Sequence, residues 1–358
     1  MSVEQTTKTL RRAVLNHEFA PHLMLAGIIA IISGLIGEVY AAIFYTAGIA
    51  EYFQGFRTGA SIGFLVALFE TYYIRSLRRS WVGRLSFIPS LLVRILIITL
   101  IVRLCLVGNE FITHIFKNQP LAMERNINGE IRDTILSLVL IVFFVVTLQI
   151  SSLIGLKRFH HLLVGRYFRP VVEERIFLFI DLKDSTRIAR KLGDVRFHEF
   201  LSEFFYQVDR AIVKFGGEIV SYVGDAVIVT WPLYENPEKN AACLKTVKFM
   251  HSRINSQADY FEREFNTVPQ FRAALNGGAV VVGECGDSRR QVTFIGDVVN
   301  ITSRIELACK ELGVDCLASH QLISKLTAPD DIKVSEFGEV QLKGAPAPQL
   351  LYTVEFGV

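Results

Sequence analysis

Two aspartates, Asp181 and Asp225, are spaced so that their carboxylates could bind a metal ion together. Asp181 follows residues 176–180, an apolar segment with the pattern of a buried strand. Asp225 lies in a predicted tight turn between residues 219–223 and 227–231, which form a β-hairpin pattern. A strand end and a hairpin turn can meet at one edge of a sheet, where hard carboxylate oxygens suit Mg²⁺ or Mn²⁺. Taken singly, they would be an ordinary N-cap and an ordinary turn residue.

The residues that follow Asp181 could bind a phosphate group. Between Leu182 and Thr186 the chain passes from strand to helix through Asp184 and Ser185. Backbone amides at such a junction can hold a phosphate, helped by the positive end of the helix dipole. Ser185 and Thr186 would otherwise be plain helix caps, and the two interpretations are compatible.

Asn300 and Arg304 form a second polar pair. They are four residues apart in a predicted helix, residues 298–312, and therefore share one face. The plain interpretation is a solvated helix face on which Arg304 pairs with Glu306 or another neighbour. A ligand-binding face is the alternative.

The elements that must position these residues alternate between strand and helix. Helices are predicted at residues 196–215 and 238–261, and strands at 271–275, 279–284 and 291–294. With the strand that ends at Asp181 and the hairpin, the opening order is strand–helix–strand–strand–helix–strand. This order is the ferredoxin-like βαββαβ pattern of an α+β domain.

Three sequence segments resemble the catalytic domain of the class III adenylyl and guanylyl cyclases. They are Phe-Ile-Asp-Leu-Lys-Asp-Ser-Thr at residues 179–186, Gly-Glu-Ile-Val-Ser-Tyr-Val-Gly-Asp at 217–225 and Phe-Ile-Gly-Asp-Val-Val-Asn-Ile-Thr-Ser-Arg at 294–304. Their occurrence in this order is far more specific than any one segment. The resemblance, over about residues 175–350, implies an enzyme that converts a nucleoside triphosphate to its cyclic monophosphate and pyrophosphate. In that reaction the ribose 3′-hydroxyl attacks the α-phosphate.

The resemblance also implies roles for individual residues. Asp181 and Asp225 would hold two ions of Mg²⁺ or Mn²⁺ per active site. Asn300 would orient the ribose and Arg304 would stabilise charge on the α-phosphate, both at the metals of a partner subunit. One chain that carries both halves implies a homodimer with two equivalent sites. Lys343 matches a lysine that contacts phosphate in the family, and a surface lysine at a strand end is its plain interpretation.

Ser221 and Thr293 occupy the positions that select the purine in this family. Adenylyl enzymes usually have Lys at the first and often Asp at the second, whereas guanylyl enzymes typically have Glu at the first. Threonine at the second position occurs in one adenylyl subgroup, usually together with that Lys. Because serine and threonine each donate or accept, the base stays open. ATP is the expected substrate and GTP the alternative; a third hypothesis is a degenerate nucleotide-binding or dimerisation module of a membrane receptor.

The first 156 residues have the composition of a membrane domain. Apolar residues make up 51% of the chain and charged residues 20%, and the apolar excess lies in this part. A helix needs about 20 mostly apolar residues to cross a bilayer. We therefore predict an all-α bundle of four transmembrane helices at residues 22–46, 59–74, 87–107 and 134–156. A helical bundle buried in a soluble protein is the alternative.

Basic residues flank these stretches on one side of the expected membrane. They precede the first stretch, separate the second from the third and follow the fourth: Lys8, Arg11, Arg12, Arg75, Arg78, Arg79, Arg84, Lys157, Arg158, Arg166 and Arg169. By the positive-inside rule, we expect a multi-pass protein of the cell membrane with both termini and the catalytic domain in the cytoplasm. The net charge is only +3, and the basic residues do not cluster as in a nucleic-acid-binding face.

Four ionisable residues lie within the predicted spans: Glu38, Glu70, Arg94 and Arg103. They should face the bundle interior and pair, because charges in lipid are costly. Structural ion pairs and a pocket for a membrane-domain ligand are the two interpretations. The whole chain is expected to comprise a membrane domain at 1–156, a juxtamembrane coupling segment at 157–174 and the cyclase domain at 175–358.

Overall fold

The computed structural model describes residues 26–44, 49–75, 87–117, 165–287 and 291–357, together with Leu23 and eight residues between 135 and 146. The chain divides into two compact units, Met1–Leu156 and Lys157–Val358. Where it is described, the first unit is helical, and the second combines one mixed β-sheet with helices. The three cyclase-like segments all belong to the second unit.

Three long helices are described in the first unit: α1 (Ala26–Phe44), α2 (Ile49–Arg75) and α3 (Phe87–Lys117). They overlap the first three predicted spans, and α2 is longer than the span predicted at 59–74. Among the described residues, two stretches are long and apolar enough to cross a membrane, Ala26–Phe44 and Ile88–Thr113. The fourth predicted span, 134–156, lies mostly outside the described residues.

Glycines bring the backbones of α1 and α2 into contact. A Cβ atom added to Gly37 of α1 would lie 2.2 Å from the carbonyl oxygen of Gly55. One added to Gly59 of α2 would lie 2.1 Å from the carbonyl oxygen of Ser33. Any larger residue would therefore separate the helices. Small residues that allow such close approach are typical of helix pairs in membranes.

Buried charges join α2 to α3. Glu70 and Arg94 form an ion pair in which Nε of the guanidinium donates to Oε1 at 3.3 Å. This confirms the expected pairing for two of the four ionisable residues, and Glu38 is half-buried on α1. The expectation that Arg103 faces the interior is wrong, since it lies on an exposed part of α3. Nine residues separate it from Arg94, which places the two on opposite faces of a helix.

The second unit contains an eight-stranded sheet. Its strands are β1 (Val171–Leu182), β2 (Glu218–Val223), β3 (Ala226–Pro232), β4 (Phe271–Cys285), β5 (Gln291–Ile295), β6 (Cys316–Ser319), β7 (Ile332–Val340) and β8 (Gln349–Phe356). The order across the sheet is β2-β3-β1-β4-β6-β8-β7, with β5 paired to β4 beside this path. β1 is antiparallel to both β3 and β4. The end of β1 therefore has β3 on one side and β4 on the other.

The helices of the second unit cover both faces of this sheet. They are α4 (Ser185–Leu192), α5 (Asp194–Lys214), α6 (Pro237–Asn240), α7 (Ala242–Asn255), α8 (Ala258–Phe265), α9 (Asp297–Leu312) and α10 (His320–Ile323). Side chains alternate along β1 between the two faces. Ile176, Leu178, Ile180 and Leu182 pack in the cluster that contains residues of α5, α7 and α8, and Phe177 and Phe179 pack with residues of α9.

The helix predicted at residues 238–261 is three helices, α6, α7 and α8. Asn240 at the end of α6 is buried, and its side-chain amide donates to the carbonyl oxygens of Tyr234 at 2.8 Å and Lys325 at 2.7 Å. These bonds tie the end of α6 to two loops. The chain turns again between α7 and α8, so one continuous helix does not form.

The strands predicted at residues 271–275 and 279–284 are one strand, β4. Gly277 and Gly278 lie between the two predicted segments. A Cβ at Gly277 would lie 3.2 Å from the Leu322 side chain of α10, and one at Gly278 would lie 3.1 Å from the Gln321 amide nitrogen. The two glycines therefore let α10 pack closely against a continuous strand.

Candidate active site

Asp181 and Asp225 lie side by side at one edge of the sheet. Asp181 is the penultimate residue of β1 and pairs with Ala226 of β3. Asp225 precedes Ala226 in the turn after β2, where Gly224 has a φ of 62° that favours glycine. Burial raises the pKa of Asp181, and the neighbouring Asp225 carboxylate raises it further. Two ionised carboxylates repel each other here, and a bound cation would relieve that repulsion.

The two carboxylates line a cleft of about 520 Å³. Its walls come from β1, the β2–β3 turn, α4, β4 and α9: Asp181, Leu182, Asp184, Ser185, Thr186, Arg187, Arg190, Asp225, Arg272 and Lys310. The residues predicted to bind phosphate are therefore in the same cleft as the predicted metal ligands. The volume is that of a cleft for a small-molecule ligand.

The start of α4 offers backbone amides to this cleft. Asp184, the residue before the helix, has a φ of 56°, which is uncommon for a residue other than glycine. Its side chain makes no capping hydrogen bond, and its carboxylate accepts from Arg187 at 2.6 Å instead. Ser185 and Thr186 are the first two residues of the helix rather than its cap. Because Asp184 leaves the first-turn amides uncapped, they are suited to an anion.

Four basic side chains line the cleft, Arg187, Arg190, Arg272 and Lys310, and none was predicted from the sequence. Arg272 pairs with Asp181 in the β1–β4 ladder, and its Nη1 is 3.8 Å from Asp181 Oδ2. Arg272 and Lys310 are remote from Asp181 in sequence and reach it only through strand pairing and helix packing. The sequence contained one indication of Arg272: a charged residue in an otherwise apolar strand is costly to bury and so suggests a charged partner or ligand. The four cations suit a polyanion such as a triphosphate.

Glu306 of α9 faces Asp181. Burial and the Asp181 carboxylate raise the pKa of Glu306 to about 7, and Glu306 donates a hydrogen bond to Asp181. The interpretation in which Glu306 pairs with Arg304 is therefore wrong. Residues 304 and 306 are about 200° apart around a helix, so their side chains point in different directions.

Asn300 and Arg304 lie on a different face of α9 from Glu306. The Arg304 guanidinium is 3.7 Å from the position of a Cβ added to Gly344. Lys343 precedes Gly344 and is exposed, as is Asn300. The structure thus brings Arg304 close to the turn that contains Lys343. Within one chain, it does not bring these three residues into the cleft that the two aspartates line.

Ser221 and Thr293 lie on β2 and β5, two strands that no backbone ladder joins. Their neighbours Val220 and Phe294 pack in one hydrophobic cluster, which brings the two strands together. The Thr293 hydroxyl donates to the Gly283 carbonyl oxygen at 3.1 Å. The same hydroxyl also lies 3.2 Å from Cys285 Sγ, a second acceptor within the protein. The lone pairs of the Thr293 hydroxyl oxygen remain for a ligand.

No group of three or more His, Cys, Asp or Glu side chains with the geometry of a metal site occurs among the described residues. The pair Asp181 and Asp225 nevertheless fits Mg²⁺ or Mn²⁺. Mg²⁺ is usually bound through one or two carboxylates, with water and substrate phosphates as its other ligands. Burial is the main cause of the raised pKa of Asp181 and the Asp225 carboxylate is the second, and a bound cation would oppose both.

The adenylate and guanylate cyclase catalytic domain family matches residues 171–355, or 185 of the 358 residues. This range contains every strand of the sheet except the last residue of β8. The chain belongs to this family.

Relatives of this chain include Adenylate cyclase 2 of Rhizobium meliloti, which is 39% identical over 197 residues, 55% of this chain and 54% of that protein. An adenylate cyclase of Anabaena cylindrica is 27% identical over 186 residues, 50% of this chain and 36% of that protein. The chain thus spans about half or less of the length of these relatives. A solved structure of a bacterial light-regulated adenylyl cyclase superposes on this chain with a TM-score of 0.52. The match is 18% identical in sequence and covers 66% of this chain and 67% of the cyclase chain. That similarity concerns the fold.

Proposed function

We propose that this protein is a membrane-anchored adenylyl cyclase that converts ATP to cyclic AMP and pyrophosphate. The observation that carries the proposal is the pair Asp181 and Asp225 in a cleft with four basic side chains and the start of α4. The carboxylates suit divalent cations, and the basic groups suit a triphosphate. The names of the Rhizobium meliloti and Anabaena cylindrica relatives support the adenylyl activity.

In this proposal Asp181 and Asp225 hold two ions of Mg²⁺ or Mn²⁺, which would activate the ribose 3′-hydroxyl and neutralise charge on the phosphates. The first-turn amides of α4, with Ser185 and Thr186, bind the triphosphate. Leu182 and Asp184 shape the strand–helix junction on which those amides lie. Arg272 and Lys310 neutralise the charge that develops on the leaving pyrophosphate.

The active site is proposed to be shared between two copies of the chain. Asn300 and Arg304 lie on a different face of α9 from Glu306, which contacts Asp181. They would therefore act at the aspartates of a second copy, where Asn300 orients the ribose and Arg304 stabilises charge on the α-phosphate. Lys343, close to Arg304 through Gly344, would contact the phosphates from the same side. A homodimer would then contain two equivalent sites.

Adenine is the proposed base because of the hydrogen bond that Thr293 makes. The Thr293 hydroxyl has two acceptors within the protein, the Gly283 carbonyl oxygen and Cys285 Sγ, so it is proposed to accept from a ligand rather than donate to it. Adenine has a donor amino group at C6, whereas guanine has an acceptor oxygen there. An acceptor therefore favours ATP over GTP. Ser221 on β2 would provide a second contact to the base.

The membrane anchor is proposed from α1 and α3, which contain the two stretches long and apolar enough to span a bilayer. The close glycine packing of α1 with α2 and the buried Glu70–Arg94 pair fit an α-helical membrane bundle. Together with the basic flanking residues, these features support a multi-pass protein with a cytoplasmic cyclase domain. Its core is proposed to be ferredoxin-like, on the basis of the strand order β2-β3-β1-β4.

Incubation of the purified full-length protein with ATP or GTP in the presence of Mn²⁺ tests the proposed activity directly. We expect cyclic AMP to form faster than cyclic GMP, and removal of divalent cations with a chelator to stop both reactions. Faster formation of cyclic GMP would overturn the base assignment. A folded dimer that forms neither cyclic AMP nor cyclic GMP would overturn the proposed activity itself.

A further inference from the structure

Arg175 of β1 is a buried cation that the proposed chemistry does not use. Its side chain is 6% exposed. Nε donates to Glu173 at 2.8 Å, Nη1 to Glu218 at 3.4 Å and Nη2 to the Tyr167 hydroxyl at 3.1 Å. The guanidinium also lies 5.4 Å from the centre of the Phe294 ring. One side chain thus contacts the turn before β1, β1 itself, β2 and β5.

These contacts are better explained by positioning than by stability. Burial alone would lower the pKa of Arg175, but the hydrogen bond to Glu173 and the charges of Glu173 and Glu218 raise it by more. The net effect raises the pKa, so Arg175 remains protonated. A buried ion pair generally adds little compared with apolar packing of the same volume. Apolar packing is available here, since Phe177 nearby is fully buried and contacts Phe294 at 5.8 Å between ring centres. Hydrogen bonds between charged groups differ from apolar packing because they fix the direction and the distance between the two partners.

Two of the strands that Arg175 contacts carry the residues proposed to recognise the purine. Glu218 is three residues before Ser221 on β2, and Phe294 follows Thr293 on β5. Strands β3, β1 and β4 lie between β2 and β5 in the order of the sheet. Backbone ladders therefore connect β2 to β5 only through three intervening strands, whereas the side chain of Arg175 contacts both strands directly across the sheet face.

Tyr167 connects the same network to the turn at residues 165–169, with which the described part of the second unit begins. It is 3% exposed. Its carbonyl oxygen accepts from the Glu284 amide at 3.0 Å, and its hydroxyl lies 3.3 Å from a carboxylate oxygen of Glu173. The turn is therefore fastened both to β4 and to Arg175.

We propose that Arg175 is a positioning residue that sets the separation of β2 and β5, and that Tyr167 makes this separation depend on the turn before β1. The inference rests on the proposed cyclase activity and adds a means by which the segment preceding the domain can regulate recognition of the base. Its contacts are with β2 and β5 and not with the cleft of Asp181. Substitutions in the network should therefore alter nucleotide recognition more than the chemistry at the phosphates.

The variants Arg175→Lys and Tyr167→Phe test this in the full-length protein. Lysine keeps the charge but carries its three donors on one nitrogen, so it does not reproduce the contacts that Nε, Nη1 and Nη2 make in different directions. Phenylalanine removes one hydroxyl group. In both, we expect KM for ATP to rise and the ATP:GTP preference to fall by about threefold or more, with kcat within about twofold of wild type. We also expect faster amide hydrogen exchange in β2 and β5.

Glu174→Gln is the matched control. Glu174 is adjacent to Arg175, but its carboxylate pairs with Lys325 at 3.4 Å on the surface. This variant should leave KM, the ATP:GTP preference and exchange in β2 and β5 unchanged. Equal effects in the control and in the two network variants would overturn the proposal.

The two kinetic constants separate positioning from a general loss of stability. A smaller folded fraction lowers the apparent kcat and leaves KM and the ATP:GTP preference unchanged. That result in both Arg175→Lys and Tyr167→Phe would overturn the positioning role. If the wild-type protein forms no cyclic nucleotide, the proposed activity fails, and hydrogen exchange decides the inference alone. Unchanged exchange in β2 and β5 in both variants would then refute it.

Discussion

Asp181 and Asp225 place two carboxylates within one cleft, where burial and the Asp225 charge raise the pKa of Asp181. Replacing either with alanine should reduce turnover to below about a tenth of wild type, because one carboxylate cannot hold two ions whose charge stabilisation contributes several kcal/mol. Asp331→Asn, at an exposed carboxylate paired with Lys248, is the control and should keep normal turnover. Substantial activity of either alanine variant at saturating Mn²⁺ would contradict the assignment.

Ser221 provides a test of base selection at a single position. Ser221→Lys should favour ATP, because an ammonium donates to N1 of adenine but meets a protonated N1 in guanine. Ser221→Glu should favour GTP, because a carboxylate accepts from N1–H and the 2-amino group of guanine. Shifts of about tenfold or more are expected where a mismatch leaves a buried polar group unpaired. Measurement of kcat/KM for both nucleotides decides the matter, and an unchanged ratio in all variants would exclude Ser221 from the site.

His251 should make the stability of the cyclase domain depend on pH. Its ring stacks on Phe271 at 4.4 Å between centres, and burial lowers its pKa, with Asp315 opposing and Lys183 adding to the shift. As pH falls, the unfolded chain binds a proton at this histidine near about pH 6.5, whereas the folded domain binds it only at lower pH. The contribution of neutral His251 to the free energy of unfolding is therefore fully present above about pH 6.5 and is lost as pH falls. His251→Phe keeps a ring and should weaken this dependence, measured by hydrogen exchange in β4 at pH 5.5 and 7.5. The same pH dependence in wild type and variant would show that His251 is not responsible.

At the scale of elements, no single helix or strand forms the site. Asp181 comes from the end of β1, Asp225 from the β2–β3 turn, and the amides proposed to bind phosphate from the start of α4. β4 adds Arg272 and α9 adds Lys310. The antiparallel pairing of β1 with β3 and β4 brings these elements to one sheet edge.

In the first unit, the approach of α1 and α2 depends on individual glycines. Gly37→Leu should separate the helices, since even a Cβ there would lie 2.2 Å from the Gly55 carbonyl oxygen. Overpacking of this kind costs about 1–3 kcal/mol. Gly27→Leu on the same helix is the matched control, because nothing lies within 4 Å of its Cβ position. Thermal unfolding of the full-length protein in detergent should show a lower midpoint for the first variant only; equal midpoints would refute the close packing.

At the scale of the whole molecule, a shared site predicts complementation between two inactive chains. Asp181→Ala and Arg304→Ala should each be inactive alone, because every site in either homodimer lacks one group. Co-expression should restore activity, since the mixed dimer keeps one site with both aspartates and an intact arginine. Mixed dimers that form but remain inactive would show that each chain builds its site alone.

The amino-acid sequence is sufficient to identify the family and to predict which residues could form the site. The segments around Asp181, Asp225 and Arg304 identify the cyclase family, which the match over residues 171–355 confirms. Strand alternation and helical periodicity also predicted β1, α5, the β2–β3 hairpin and α9, because these patterns depend on neighbouring residues. The boundaries of β4 and of the helices after β3 were missed, because α10 packing and the bonds of Asn240 come from distant segments.

Which distant side chains share the cleft follows from strand pairing and helix packing, and the sequence did not predict it. Arg272 reaches Asp181 because β4 pairs with β1 in one particular register, and a shift of one residue would turn it to the other face. Glu306 faces Asp181, and Arg304 does not, because of how α9 is rotated against the sheet. The contacts of Arg175 with β2 and β5 likewise arise from packing across the sheet face. Such relations join residues tens of positions apart, and local sequence patterns do not encode them.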